Sequence, residues 1–279
     1  MWYSFTPATT QSVTLRTDQY GAGVGVYTGT SLTNVSQVAC NYAGQPALLQ
    51  ALAGTTYYIQ VGAWCCDGFG PVTFHLEVAP NPVASFYFYP QDPSVFDAVQ
   101  FQDNSYDPAG GVVSSWTWAF GDGATATGCC PTHQYARDGD YTVVLTATTS
   151  DGRSASTSQV VQVRTHDVAV VQIAVPNSAH VGQTVAVTVY VRNNRYPETV
   201  QVDLFKSVPG GFTQVGSLTQ SVPVRPPGGK STRFAFSYTV SQSDKSVGKV
   251  TFRATATLIG HRDALPADNE LTSPLVKIT

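Results

Sequence analysis

Asp103, Asn104, Asp107 and Asp122 are hard oxygen donors set close to turn-forming residues, and the chemistry open to them is coordination of calcium. The same residue types also bond their own backbone in turns, so a turn-forming role competes with the ligand role. Trp64 stands in a loop-like stretch, residues 62–70, where an exposed indole would stack on a sugar; it is the candidate carbohydrate contact.

The cysteines offer a second kind of chemistry. They occur at 40, 65, 66, 129 and 130, with no C-x-x-C spacing, so zinc-ribbon and thioredoxin readings find no support. Two adjacent pairs suit an oxidising compartment. Neighbouring side chains of an extended strand face opposite ways, so an adjacent pair rarely shares one partner. Cys40 is expected to pair with Cys65 or Cys66, and Cys129–Cys130 to form a vicinal ring before Pro131. A bridge between the 65–66 and 129–130 loops is the alternative, and the spacing alone does not choose.

Catalysis has little to stand on. The histidines at 75, 133, 166, 180 and 261 accompany no G-x-S-x-G, H-E-x-x-H or P-loop. Gly21, Gly23 and Gly25 precede no helical pattern that could seat a phosphate, so they read as a hairpin turn. The chain is expected to be no enzyme, and calcium is the one ion for which the sequence offers a ligand set.

The elements that must carry these residues are strands. Helical periodicity is nearly absent, while short period-two segments end in Gly, Pro, Asn or Asp. Ser12–Leu15, Tyr57–Val61, Tyr141–Thr146 and Val185–Val191 are examples, the last placing Val185, Val187, Val189 and Val191 on one face. Trp116, Trp118 and Phe120 alternate onto a common face, expected to be core, and Gly121-Asp122-Gly123 then turns the chain into a hairpin.

Charged residues are only 12% of the 279, the balance being filled by Thr, Ser, Gln, Gly and Pro, as suits the wet faces of sheets. No stretch is strongly basic, which argues against a nucleic-acid partner. The longest apolar run, residues 168–175, is far too short to span a bilayer, which argues against direct membrane insertion. Met1-Trp2-Tyr3 leads straight into strand-like sequence, so any export leader is expected upstream.

Ala79-Pro80-Asn81-Pro82 and Arg164-Thr165-His166-Asp167 interrupt the strand pattern, giving expected domains at 1–80, 81–165 and 166–279 joined by short linkers into a semi-rigid rod. The first carries Arg16 against Asp18, Asp67 and Glu77. The second carries three arginines against eight aspartates, and the third eleven basic against seven acidic residues. Such opposition would favour contact between copies, although ordinary drift of surface charge accounts for it as well.

Three resemblances sharpen the reading. Phe101-Gln102-Asp103-Asn104-Ser105-Tyr106-Asp107-Pro108, Trp116-Thr117-Trp118-Ala119-Phe120-Gly121-Asp122-Gly123 and His133-Gln134-Tyr135 followed by Gly139-Asp140-Tyr141-Thr142-Val143 closely resemble a PKD domain, an immunoglobulin-like sandwich. Trp2-Tyr3-Ser4-Phe5, Val24-Gly25-Val26-Tyr27 and Gly54-Thr55-Thr56-Tyr57-Tyr58 resemble a bacterial pre-peptidase C-terminal (PPC) domain shortened at its N-terminus. Asp167-Val168-Ala169-Val170, Tyr190-Val191-Arg192-Asn193 and Ala267-Asp268-Asn269-Glu270 resemble a CARDB domain.

These resemblances imply an all-β chain of three tandem β-sandwich domains, jelly-roll or immunoglobulin-like. They imply an extracellular or cell-surface location and a structural or adhesive role, as in a self-assembling filament subunit. Partners would be neighbouring copies, another surface protein or a polysaccharide. The alternative is the accessory region of a secreted hydrolase whose catalytic domain lies elsewhere.

Overall fold

The structure is a computed structural model of the chain, and it describes residues 1–18, 21–31, 33–41, 45–63, 71–226 and 228–279. Among the described residues its regular secondary structure is nearly all strand, with one six-residue helix at Gln242–Val247 and a 3-10 turn at Pro266–Asp268. Contacts divide it into two compact units. The first comprises Met1–Tyr89, Ala98–His133 and Asp140–Val161; the second comprises Pro90–Asp97, Gln134–Gly139 and Gln162–Thr279.

In the first unit, Trp2–Phe5, Tyr57–Ala63, Ala22–Ser31 and Asn34–Cys40 form one antiparallel sheet in that order. Ala47–Ala51, Gln11–Thr17 and Phe74–Val78 form another. Alternation puts Val13, Leu15, Val24, Val26, Leu49 and Ile59 in their shared core. Gly23 and Gly25 lie inside the strand Ala22–Ser31 rather than in a hairpin turn. A Cβ on Gly25 would press on the ring of Tyr27, which explains a glycine there without any turn.

Also in this unit, Thr132–His133, Val99–Asp103 and Phe86–Tyr89 form a three-stranded sheet. Thr125–Thr127, Val113–Ala119, Gly139–Thr149 and Ser154–Val163 form a four-stranded one. Phe86, Phe101, Trp118 and Phe120 build an aromatic core, with the Trp118 ring edge-on to Phe86 at 5.2 Å and Phe120 tilted on Phe101 at 5.2 Å. The alternation expected for residues 116–120 holds in direction, but only Trp118 and Phe120 are buried. Trp116, in the middle of its strand, keeps partial exposure. Phe120 N–H bonds to Ala124 O at 3.0 Å across the expected hairpin.

In the second unit, Val168–Ala174, Thr184–Asn193 and Thr232–Thr239 form one sheet, and Gly211–Val222, Glu198–Val208, Phe252–Leu258 and Glu270–Thr272 another. Val187, Val189 and Val191 are wholly buried against Val200, Val202, Phe234 and Phe252. Loops 90–97 and 134–139 group here because they bond to its chain. Arg164 N–H meets Pro93 O at 2.8 Å, Val95 N–H meets Thr165 Oγ1 at 3.1 Å, and the Gln134 amide reaches Val95 O at 2.8 Å.

The helix Gln242–Val247 has no counterpart in the period-two reading. Ser241 and Asp244 form a reciprocal capping box at its start, and Gly248 ends it with φ +76°. Ser-x-x-Asp was the available sequence signal.

Candidate functional site

Asp107, an expected calcium ligand, has a fully buried carboxylate whose oxygens are already engaged. Arg153 grips both of them, Nη1 to Oδ1 at 2.9 Å and Nη2 to Oδ2 at 2.5 Å. The amides of Ala109 and Gly111 add bonds at 3.0 and 2.9 Å. The remaining Arg153 donors reach Asp151 Oδ2 at 2.8 Å and the carbonyl of Pro80. Burial opposes charge on Asp151, but bonds from Arg153, Ser12 and Thr149 hold its carboxyl well below the usual range. Ser12 lies on the strand Gln11–Thr17, and Gln50 donates to Asp151 O at 3.3 Å. Arg153 is thus the hub of a polar clamp between the first 80 residues and the sandwich that follows. Nothing in the local sequence marks it, since Asp107 lies 46 positions away.

Asp122 accepts the Ala124 amide at 3.0 Å and pairs with His133 Nε2 at 2.7 Å, and His133 stacks flat on Phe120 at 4.3 Å. Burial opposes the Asp122 charge as well, yet the His133 bond leads the set that lowers its pKa. Asp103 accepts the hydroxyl and amide of Ser105, and Asn104 donates its N–H to Ser85 O at 2.8 Å. Each of these residues is engaged within its own turn or with a neighbouring strand. Asp103, Asp107 and Asp122 do not converge among the described residues into a three-ligand group.

Cys40 ends the strand Asn34–Cys40 as a free thiol. Cys129 and Cys130 are exposed and unbridged, their sulfurs 2.6 Å apart, and hydrogen bonding to Cys129 raises the pKa of the Cys130 thiol. Trp64, Cys65 and Cys66 lie outside the described residues.

Among the described residues a three-ligand group forms in the second unit: His166, Glu198 and His261, whose ligand atoms all fall within 4.8 Å of one another. His166 Nδ1 is 2.6 Å from Glu198 Oε1. The His261 ring lies parallel to that of His166 at 3.9 Å, and Tyr196 covers His166 from 5.0 Å. The Glu198 side chain is 1% exposed, and its Oε2 is buried without a hydrogen-bond partner. Sequence reasoning missed this group because its members stand far apart, at the start of one strand and in two loops.

A second polar network is complete in itself. Lys206 Nζ bonds Asp244 Oδ1 and Tyr238 Oη, both at 2.8 Å. Tyr238 Oη and the Ser241 amide and hydroxyl converge on Asp244 Oδ2. Burial opposes the Asp244 charge, but these donors hold its carboxyl well below the usual range.

The described residues thus define an all-β assembly of immunoglobulin-like sheets with polar clamps and a His–Glu cluster. Residues 79–164 match the sequence model described as "PKD domain". A microbial collagenase of Vibrio alginolyticus is 48% identical over 59 residues, which is 21% of this chain and 7% of that protein. The crystal structure of the PKD1 domain from the Vibrio cholerae metalloprotease PrtV is 35% identical. It covers 31% of this chain and 100% of its own, with a TM-score of 0.28. The CARDB domain of a Pyrococcus furiosus protein is 19% identical, covering 42% of this chain and 90% of its own, with a TM-score of 0.32. The matched segment spans under a tenth of the curated relatives' length. No helix among the described residues is long and apolar enough to cross a membrane.

Proposed function

We propose that this chain is a non-catalytic accessory region of a secreted, protease-type enzyme, and that it spaces the enzyme and holds it against a protein or polysaccharide substrate. The observation that carries the reading is the 48% identity of a PKD segment to part of a collagenase. It favours the accessory role, the alternative in the sequence reading, over the adhesive or filament subunit that the sequence reading put first. The motif order supports a PPC-like first segment and a CARDB-like third.

The surface best suited to contact is the strand Phe86–Tyr89, which ends its three-stranded sheet. Phe86 and Phe88 point into the core, so Tyr87 and Tyr89 face solvent, 57% and 70% exposed. Two neighbouring phenols on an edge strand offer both stacking area and hydrogen bonding.

Co-sedimentation of the purified chain with insoluble collagen, chitin and cellulose tests this. We expect the chain to pellet with at least one of them without degrading it, and the doubly substituted Tyr87→Ala, Tyr89→Ala variant to stay in solution. A chain that pellets with none of them, or that digests collagen itself, overturns the reading.

A further inference from the structure

We propose that His166, Glu198 and His261 bind one divalent transition-metal ion of the zinc class, fastening the 259–265 loop to the sheet beneath it. Two imidazoles and one carboxylate form a borderline donor set that suits zinc and its first-row neighbours and does not suit calcium or magnesium.

The second observation, independent of the clustering, is Glu198 itself. A carboxylate 1% exposed with one oxygen unpartnered is costly to bury, and only His166 offsets it through the other oxygen. Such an oxygen, on a carboxylate whose other oxygen already meets an imidazole, is accounted for by a cation.

The backbone already positions the set. Glu198 begins the strand Glu198–Val208, and the Ile259 amide bonds to Thr199 O at 2.9 Å, beside it. The Ala264 amide bonds to His166 O at 2.8 Å. The loop bearing His261 is therefore tied at one end next to Glu198 and at the other to His166.

Ligand atoms around a tetrahedral zinc stand about 3.3 Å apart, given bonds of about 2.0–2.1 Å. The present separations run from 2.6 Å between His166 Nδ1 and Glu198 Oε1 to no more than 4.8 Å, so that pair must open slightly while His261 closes in. Two rings stacked in parallel cannot both aim a nitrogen at one ion, so His261 must rotate out of the stack. It is exposed and free to do so, whereas His166 and Glu198 are held by packing. The ion takes the place of the proton between His166 Nδ1 and the Glu198 carboxylate, engaging Oε2 as well as Oε1, and water completes the coordination.

The test is titration of the untagged full chain, its thiols blocked by alkylation, with zinc, calcium and magnesium under calorimetry, together with thermal melts. We expect one zinc per chain, a raised melting temperature with zinc, and no comparable effect of calcium or magnesium. His261→Ala, at an exposed position that the fold does not need, should weaken zinc binding at least about tenfold, since even losing a partner of a ligand costs that much. Glu198→Gln should weaken it likewise. Absence of zinc binding, equal binding by His261→Ala, or equal affinity for calcium would overturn the assignment.

Discussion

The guanidinium of Arg153 closes a two-pronged ion pair on the fully buried carboxylate of Asp107, while its third nitrogen holds Asp151. Forked geometry of this kind belongs to arginine and not to lysine. Removing the cation leaves two buried carboxylates without it. Arg153→Ala should therefore cost about 3–5 kcal/mol, and Arg153→Lys should recover only part of that. Urea unfolding of the three proteins side by side checks it, and an Arg153→Ala protein as stable as the parent would refute it.

Acid should act through this clamp and through the Lys206–Asp244 network. Asp107, Asp151 and Asp244 all have folded pKa values below the ordinary carboxylate range. Burial opposes the charge in each, and hydrogen bonds to arginine, lysine, hydroxyls and amides overcome it. A depressed folded value means the stability is fully present above the unfolded pKa and is lost as pH falls through the folded one. These residues should therefore leave the urea midpoint flat from about pH 5 to 7 and lower it steeply below about pH 4. In Arg153→Ala the acid limb should be shallower.

Gly121 and Gly123 both hold positive φ, +86° and +96°, but their surroundings differ. A Cβ at Gly121 would stand 2.7 Å from Thr142 O, whereas one at Gly123 would meet nothing within 4 Å. Gly123→Ala should cost about 1 kcal/mol of backbone strain, and Gly121→Ala more than about 2 kcal/mol. Thermal melts that rank the two variants the other way round would contradict the argument.

Ser241 caps the helix Gln242–Val247 and also donates to Asp244. Ser241→Ala should cost about 1 kcal/mol. Denaturation of this variant with and without Lys206→Met would show coupling between the two sites, because both substitutions act on the Asp244 carboxylate.

The strands were legible because their signal is local. Val185, Val187, Val189 and Val191 repeat at the spacing of a pleat, and all four are buried. Trp118, Phe120 and the turn at 121–123 were legible for the same reason. What resisted reading depends on chain closure. Asp107 looked like a metal ligand because its oxygens were visible in the sequence and Arg153, 46 residues on, was not. His166, Glu198 and His261 meet only once two sheets and a loop have been built around them. The helix escaped because six residues are too few to show a 3.6-residue period, although its cap was there to be seen.

The bonding of loops 90–97 and 134–139 to the C-terminal chain bears on how the protein can be dissected. Arg262 pairs with Asp97 at 2.6 Å, and Arg195 and Tyr196 bond Asp138 at 3.1 and 3.0 Å. A fragment ended near residue 165 would keep both acids and lose all three of these donors. Such a truncated piece would inherit an unbalanced negative edge, so properties measured on it would describe a wounded surface, and excision should leave these loops attached to the segment that neutralises them.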